Sequence, residues 1–490
     1  MNALTQQMAN MSLNDPKKGK SNFPIAVPKT LRYEQDAGLP VAIDARSNRR
    51  TFYPNNGNVF GPNGTNVIRL NINSESFLDF SHSYLQFDFV NVSNNARTVG
   101  LDFGVPFFSR LQIMSGGQEL EDIQEYSRLY SILQAAQGSD TTTNEQSLTQ
   151  HNAYSPGKGA ANSVAAANAF GGAQANALIN TEVDKLNRTL HAPNTQVGNG
   201  ASVTYNVPII SGIFNIDKYF PLMLTDQGLD IFLTLTPGLD IGVWNDDPGG
   251  GFYNIRNVKY IGHEVNLDSG FVEQMKASMN ATGGLLSMSS TTYRYYSDNV
   301  TSTSATHTAN ISCRVKSLKG LIVRPQNSGL NNNRAKYCVS VGQAMGIDEY
   351  QFRIGSVLYP QSPVTYSNTN KGETYNEIRK CFGTLGSYNH GTMLNDVTFT
   401  RNANEAANNA AIAQGGSPYS LWMLAYDFET FSKSATESGI NVADRALPVT
   451  LELKRSGGGN QHHLPTRLDI FAMCDCIIYL DLSGRITTRI

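Results

Sequence analysis

Residues 218–237 read KYFPLMLTDQGLDIFLTLTP. Two short apolar runs are divided by the polar TDQG, and the second run alternates. Leu229, Ile231, Leu233 and Leu235 fall on one side, with Asp230, Thr234 and Thr236 on the other. A period of two over this length predicts a half-buried β-strand. Phe232 is the one apolar residue on the polar side, where an aromatic ring could meet a neighbouring strand or subunit. The first run predicts a second strand, with Pro221 near its start, a position a strand tolerates.

The same grammar extends outward. Strands are predicted at RRTFY (49–53), NVIRLNIN (66–73), HSYLQFDFVNV (82–92), FFSRLQIMSGG (107–117), SVTYNVPIISGIF (202–214) and NIRNVKYIGHEVNL (254–267). Between them QELEDIQEYSRLYSILQ (118–134) changes period. Leu120, Ile123, Tyr126, Tyr130 and Leu133 recur at three and four residues, which predicts an amphipathic helix. Glu119, Glu121 and Asp122 would then lie in its first turn, where the helix dipole favours acids.

The second half repeats this order. TTYRYYSD (291–298), NISCRVKSLKGLIVRP (310–325), EYQFRIGSVLYP (349–360), SLWMLAYDF (420–428), PVTLELKR (448–455) and RLDIFAMCDCIIYLDL (467–482) read as strands, and NKGETYNEIRKCFG as a helix with Tyr375, Ile378 and Phe382 in register. Each half carries an Ala/Asn-rich insertion, at 137–200 and 403–416, too long for a routine connection. Val449, Leu451 and Leu453 echo the opening stretch at an offset of about 220 residues, the length of a duplicated domain and not of a solenoid repeat. About eight strands per half, few tight hairpins and long links point to a sandwich, and among sandwiches to a jelly roll. The expected fold is all-β: two tandem eight-stranded jelly rolls with a few short helices and long loop insertions. The expected domains are an N-terminal arm (1–47), a first jelly roll (48–268), a linker or helix (269–286) and a second jelly roll (287–490).

Composition agrees. The 490 residues exceed what one core usually organises. Charged residues make up 16% and glycine is plentiful at 43 residues, which favours strands and turns over helices. A net charge of −2 argues against a chain that coats nucleic acid with its whole surface. Cys313, Cys338, Cys381, Cys474 and Cys476 are odd in number and irregular in spacing, so no disulfide framework is expected. No signal peptide and no apolar stretch of roughly 18 residues is seen, so a soluble chain made in a reducing compartment is expected. Asn63, Asn91, Asn187, Asn280, Asn299 and Asn310 begin glycosylation triplets, which an Asn-rich chain also produces by chance.

These features together resemble the double jelly-roll major capsid proteins of double-stranded DNA viruses. The resemblance rests on TFYPNNGNVF followed by SFLDFSHSYLQFDFV, on FFSRLQIMSGGQELEDIQEYSRLYSIL, and on YFPLMLTDQGLDIFLTL, which is similar to the end of the first jelly roll in that family. It covers most of residues 48–485 and is strongest to the virophage and polinton-like branch. It implies a structural protein of the virion, made in the host cell as a soluble chain. Three copies would close into a trimer of pseudo-sixfold outline, and trimers would tile an icosahedral shell with penton and minor or cement proteins. The insertions become candidate tower or trimer-locking loops. The N-terminal arm would lie on the inner side, with Lys17, Lys18, Lys20, Lys29 and Arg32 as candidate contacts to packaged DNA or an inner membrane, and Arg46, Arg49 and Arg50 behind them. A solvated lysine-rich tail is the plainer account of the same charges.

Chemistry finds little support. Cys474 and Cys476 form CxC, yet they share a strand face with Leu468, Ile470, Ala472, Ile478, Leu480 and Leu482, so core packing is expected and not a metal. His462 and His463 are adjacent and would point apart on an extended chain. His263 and Glu264 lack the second histidine of a zincin helix, and Gly19-Lys20-Ser21 lacks the first glycine of a phosphate loop. Asp246 and Asp247 read as a turn, with a calcium site as the alternative. No catalytic residue, metal or cofactor is expected. One rival is a two-jelly-roll carbohydrate-binding or glycan-processing protein, for which Trp244 and Trp422 are few stacking residues. Another is a capsid protein of a single-stranded RNA or DNA virus, which would carry a longer and more basic arm.

Overall fold

The computed structural model of the chain describes residues 45–92, 105–138, 199–238, 253–267, 269–281, 283–301, 304–328, 346–367, 369–387, 421–431, 438–443, 447–455 and 466–490, with short pieces between them. The basic arm, both Ala/Asn-rich cores, Asp246, Asp247, His462 and His463 lie outside the described residues.

The first half holds eight long strands: β1 (Ala45–Phe52), β2 (Val67–Ile72), β3 (Phe77–Asn91), β4 (Phe108–Ser115), β5 (Gln118–Gln124), β6 (Ser202–Val207), β7 (Leu229–Leu235) and β8 (Tyr253–Leu267). They form two antiparallel sheets. One runs β1-β8-β3-β6, extended by the short strands Val59–Phe60 and Phe220–Pro221; the other runs β2-β7-β4-β5. Consecutive strands alternate between sheets except at the β4-β5 hairpin, which is the wiring of a jelly roll.

The second half holds β9 (Leu285–Val300), β10 (Thr306–Ile311), β11 (Leu318–Asn327), β12 (Ile347–Ile354), β13 (Val357–Thr365), β14 (Leu424–Asp427), β15 (Val449–Arg455), β16 (Thr466–Asp481) and β17 (Ile486–Arg489). Its sheets run β9-β16-β11-β14, with β17 added to β16, and β10-β15-β12-β13. Position by position this is the strand order of the first half, so the chain is a double jelly roll. Helix α1 (Tyr126–Gln137) follows β5, α2 (Ser269–Ala281) joins the halves, and α3 (Gly372–Cys381) follows β13.

The alternation read from the sequence is the alternation of burial. In β7, Leu229, Ile231, Leu233 and Leu235 are buried while Asp230, Phe232 and Thr234 are half-exposed. The Phe232 ring lies under the Arg69 guanidinium, 5.3 Å from its centroid, on the neighbouring strand. The first core is aromatic. Phe87 stacks on Tyr205 at 5.5 Å, and Phe107 meets the same ring edge-on at 4.8 Å. The second core is built around Tyr350, Phe352, Phe428 and the fully buried Trp422.

Several expectations need correction. Residues 118–124 are strand β5 and the helix begins only at Tyr126, so Glu119, Glu121 and Asp122 are not in a helical first turn. The cause is Gly116-Gly117, whose φ angles of 55° and 80° make a two-residue turn that returns the chain onto β4, pairing Ser115 with Gln118. The same device, with Gly355 at φ 60°, splits the strand expected over 349–360 into β12 and β13. Tight hairpins are therefore present, with Gly-Gly and Gly-Ser loops in place of Asn-Gly. The strand expected over 310–325 is likewise two strands in different sheets. The first run of the opening stretch is only a two-residue strand, Phe220–Pro221, followed by a 3-10 turn over Leu222–Leu224. Only 202–207 of the stretch 202–214 pairs as a strand. Leu482 lies beyond β16 and is half-exposed, at 51%.

Candidate functional site: the seam between the two sandwiches

Helix α1 is buried all round from Tyr126 to Ala136. A surface helix buries one stripe; burial of the whole circumference means two partners. Leu129, Ile132 and Leu133 belong to the apolar core. The stripe Arg128, Ser131 and Ala135, spaced by three and four residues, meets the second sandwich instead. Arg128 donates through Nη1 to Asp469 of β16 at 3.2 Å and to Gln326 of β11, and through Nε to Glu125 at 2.8 Å. Ser131 accepts from Arg324 Nη1 at 3.0 Å, and the Ala135 carbonyl accepts from Thr392 at 3.3 Å.

Arg467 completes the group from the other side. It reaches Glu125 at 2.6 Å and Asp469 at 2.8 Å, while the Tyr295 hydroxyl donates to Asp469 at 2.8 Å. Two carboxylates and two guanidiniums therefore form one neutral cluster across the seam. Its inner end is dry: Arg128 and Asp469 are buried, with Gln326 and Arg324 fully buried beside them, whereas Glu125 and Arg467 keep partial access to solvent. Burial pushes the Glu125 carboxyl up, but Arg128 and Arg467 outweigh it and hold it below the usual range. Burial works against the Arg467 charge too, and Asp469 and Glu125 more than restore it. Buried ion pairs of this kind fix geometry more than they add stability, because desolvation offsets much of the attraction.

A second contact uses the acid misplaced above. Glu121 on β5 accepts from the backbone N–H of Gly212 at 2.8 Å and of Ile213 at 3.4 Å, and from Thr292 Oγ1 of β9 at 2.5 Å. Burial pushes its carboxyl above the usual range: the hydrogen bonds from Thr292 and Gly212 pull it down but do not offset the burial, and no cation is among the causes acting on it. Gly212 is there because there is no room for more. A Cβ at that position would lie 3.0 Å from both Glu121 Oε1 and the Thr291 carbonyl. A third contact involves the polar divider TDQG. Asp226 N–H donates to the carbonyl of Gly484, at 3.1 Å, and Gly228 at φ 68° turns the chain into β7. Beside them, Thr488 of β17 donates to the Leu120 carbonyl at 3.0 Å. The runs that opened the sequence reading thus build a core and end at the seam.

The residues picked from sequence fall elsewhere. Lys17, Lys18, Lys20, Lys29 and Arg32 lie outside the described residues; Arg46, Arg49 and Arg50 are on the exposed β1. Cys474 and Cys476 are buried in the second core, and burial pushes the Cys476 thiol up to about 12. His263 packs against His82 with ring centroids 5.7 Å apart. Among the described residues no group of three or more His, Cys, Asp or Glu is close enough to hold a metal ion. Among the described residues no helix is long and apolar enough to cross a membrane. Sequence reasoning missed the seam cluster. Its signal was Asp469, a lone acid inside RLDIFAMC, on the strand face that the apolar row left unexplained.

No protein-family model matches the chain, and no curated protein matches it in sequence. Solved structures match in fold. A chain of the Sputnik virophage, determined by cryo-electron microscopy, superposes over 96% of this chain and 93% of its own, with a TM-score of 0.55 and 11% identity. The Faustovirus major capsid protein covers 92% of this chain and 93% of its own, with a TM-score of 0.53 and 10% identity. The mavirus major capsid protein covers 97% of each, with a TM-score of 0.50 and 10% identity.

Proposed function

We propose that this chain is the major capsid subunit of an icosahedral double-stranded DNA virus, a structural protein of the virion and not an enzyme. The observation that carries the reading is the double jelly roll with one strand order in both halves, superposable along nearly the whole chain on major capsid proteins. The seam fits that role, because a tile must hold its two halves at a fixed angle. In this reading three chains close into a trimer of pseudo-hexagonal outline, and trimers tile the shell by apolar burial and symmetric repetition. Penton and minor or cement proteins complete the lattice. The N-terminal arm, through Lys17, Lys18, Lys20, Lys29 and Arg32, faces packaged DNA or an inner membrane.

The glycan-binding alternative is not favoured: Trp422 is fully buried and cannot stack on a sugar. The test is the mass of the purified chain by light scattering, followed by negative-stain imaging. A stable trimer of hexagonal outline is expected. A chain that stays monomeric at every salt and concentration tested overturns the reading.

A further inference from the structure

The second sandwich holds a pair of thiols that neither the seam nor the strand order accounts for. Cys313 and Cys474 are 2% and 0% exposed, and both are free. Cys474 lies in β16, opposite Thr292 of β9 and Leu318 of β11. Cys313 lies two residues beyond β10, in the link that carries the chain from one sheet to the other. That link is pinned along β16. The Asp475 N–H donates to the Ser317 carbonyl at 3.1 Å, and Ser317 Oγ donates to the Asp475 carboxylate at 2.5 Å. The N–H groups of Val442 and Ala443 hold the Val315 carbonyl, both at 3.1 Å, and the Cys313 N–H closes a tight turn onto the Ile311 carbonyl at 2.7 Å. Cys313 is thereby held against Cys474, and the two thiols hydrogen-bond each other.

The two sulfurs are not equivalent. Cys474 donates to Cys313, the Tyr296 hydroxyl donates to it as well, and the exposed Arg294 guanidinium is near enough to act on both thiols. The hydrogen bond from Cys474 lowers the Cys313 thiol below its usual range; burial opposes it, and Tyr296 and Arg294 add to the lowering. The same bond, with burial, pushes Cys474 well above the usual range, and its proton has the Ala472 carbonyl as a second acceptor at 3.6 Å. One sulfur is poised to attack while the other keeps its proton, which is the division between an attacking and a resolving cysteine. Access runs along the edge strand β9. Tyr296 lines an open cleft of about 450 Å³ together with Thr292 and Arg294, which brings a small solute within one side chain of the pair. The other thiols lack this setting. Cys381 touches the Met473 sulfur at 3.7 Å and burial pushes it up, burial raises Cys476 to about 12, and Cys338 lies outside the described residues.

We propose that Cys313 and Cys474 form an oxidative modification site, a dithiol that hydrogen peroxide converts into a disulfide between the link and β16. The Cys313 thiolate attacks the peroxide and its O–O bond breaks. Cys313 becomes a sulfenic acid, and the departing hydroxide takes up the proton that Cys313 had lost, giving water. The Cys474 sulfur then attacks the sulfenic sulfur. An S–S bond forms, the S–O bond breaks, and the hydroxyl leaves with the Cys474 proton as a second water. Two thiols thus lose two electrons and two protons, and the peroxide is reduced to two waters. Thiols already in contact need side-chain rotation and little backbone movement to reach the roughly 2 Å of an S–S bond. The bridge fastens the core strand of one sheet to the connection arriving from the other, and it closes a long loop, which restricts the unfolded chain. On the capsid reading, which this inference does not need, the bridge is absent while the chain is made in a reducing compartment and forms in the released particle.

The experiment treats the full chain with hydrogen peroxide, quenches it, alkylates the free thiols under denaturing conditions and maps the digest by mass spectrometry. Two of the five cysteines are expected to escape alkylation, joined as one pair, Cys313 with Cys474. The melting temperature is expected to rise by about 5–15 °C and to return on adding dithiothreitol. Cys474→Ser keeps a hydroxyl donor for Cys313 and removes the resolving sulfur, so dimedone should trap a sulfenic acid at Cys313. Cys313→Ser should abolish the link, and Cys476→Ser should behave as wild type. Circular dichroism checks the fold of each variant, and the linkage map of the wild-type chain decides by itself if a variant does not fold. A wild-type chain whose five cysteines all remain alkylatable, a link between any other pair, or a dimedone adduct elsewhere in Cys474→Ser overturns the inference. None of these readouts depends on the mass of the assembly, so their failure leaves the capsid reading as it stands.

Discussion

Arg128→Met is the sharpest perturbation of the seam. It removes one of the two guanidiniums serving Glu125 and Asp469 and leaves the fully buried Asp469 with Arg467, at 2.8 Å, as its remaining ion-pair cation in the cluster. Removing one partner of a buried pair costs about 3–5 kcal/mol, because the other charge stays desolvated. Arg467 still neutralises part of the cluster, and methionine keeps some of the stem's packing, which places the expected loss near the lower end, about 3 kcal/mol. For a domain of this size each kcal/mol lowers the melting temperature by about 2–4 °C, so a drop of roughly 6–12 °C is expected in scanning calorimetry. The second variant is Arg128→Met with Asp469→Asn. It removes one charge of each sign and leaves Glu125 with Arg467 at 2.6 Å, so it should recover at least half of the loss. A drop below about 2 °C for the single variant, or no recovery in the double, would refute the claim that the Arg128–Asp469 end of this cluster is dry and mutually neutralising.

Glu121 and Glu125 should oppose each other with pH. The folded Glu121 carboxyl is raised, so its contribution is intact below the unfolded value and is lost as pH climbs from there through the folded value. Glu125 is lowered, so its contribution is present above the unfolded value and is lost as pH falls through the folded one. Melting temperatures of Glu121→Gln against wild type from pH 4 to 8 should diverge in favour of the variant as pH rises; parallel curves would contradict the burial assigned to Glu121. Gly212→Val crowds Glu121 and the Thr291 carbonyl and should cost about 1–3 kcal/mol. Gly64→Ala, with nothing within 4 Å, should change stability little, and equal effects in a denaturant titration would count against the tight seam. Phe107→Ala opens the aromatic core beneath Tyr205 and Phe87 and should cost about 3–5 kcal/mol by the same titration, a smaller loss meaning that the core is less well packed than its ring contacts imply.

The fold was legible where one face of a strand is wet. β3, β7 and β15 alternate in sequence because they alternate in burial, and the duplicated order followed from them. Legibility failed where a local signal had two meanings. Leu120 and Ile123 stand three apart in both a helical stripe and a strand, and only the positive-φ Gly116-Gly117 decides for the strand. It failed again at the seam, where burial comes from the other half of the chain. Arg128 on a helix and Asp469 on a strand look like ordinary surface charge until the chain folds back across their sequence separation of 341. The arm residues proposed as inner-face contacts rest on sequence alone.

One feature of the wiring sets a clock. In each half the first long strand pairs with the last: β1 with β8, and β9 with β16, where Leu285 lies opposite Asp481. β16 is also the strand between β9 and β11, so the second sheet has no centre until residue 481 has left the ribosome. At about 5–20 residues per second, the roughly 200 residues from β9 to β16 take some 10–40 s to synthesise. Throughout that interval the first sandwich can be complete while α1 still shows Arg128 and Ser131 to water. A nascent chain of this protein therefore spends tens of seconds with a finished half and an unmatched docking face. During that time it is open to engagement by a neighbouring nascent chain on the same message, before its own second half exists to claim it.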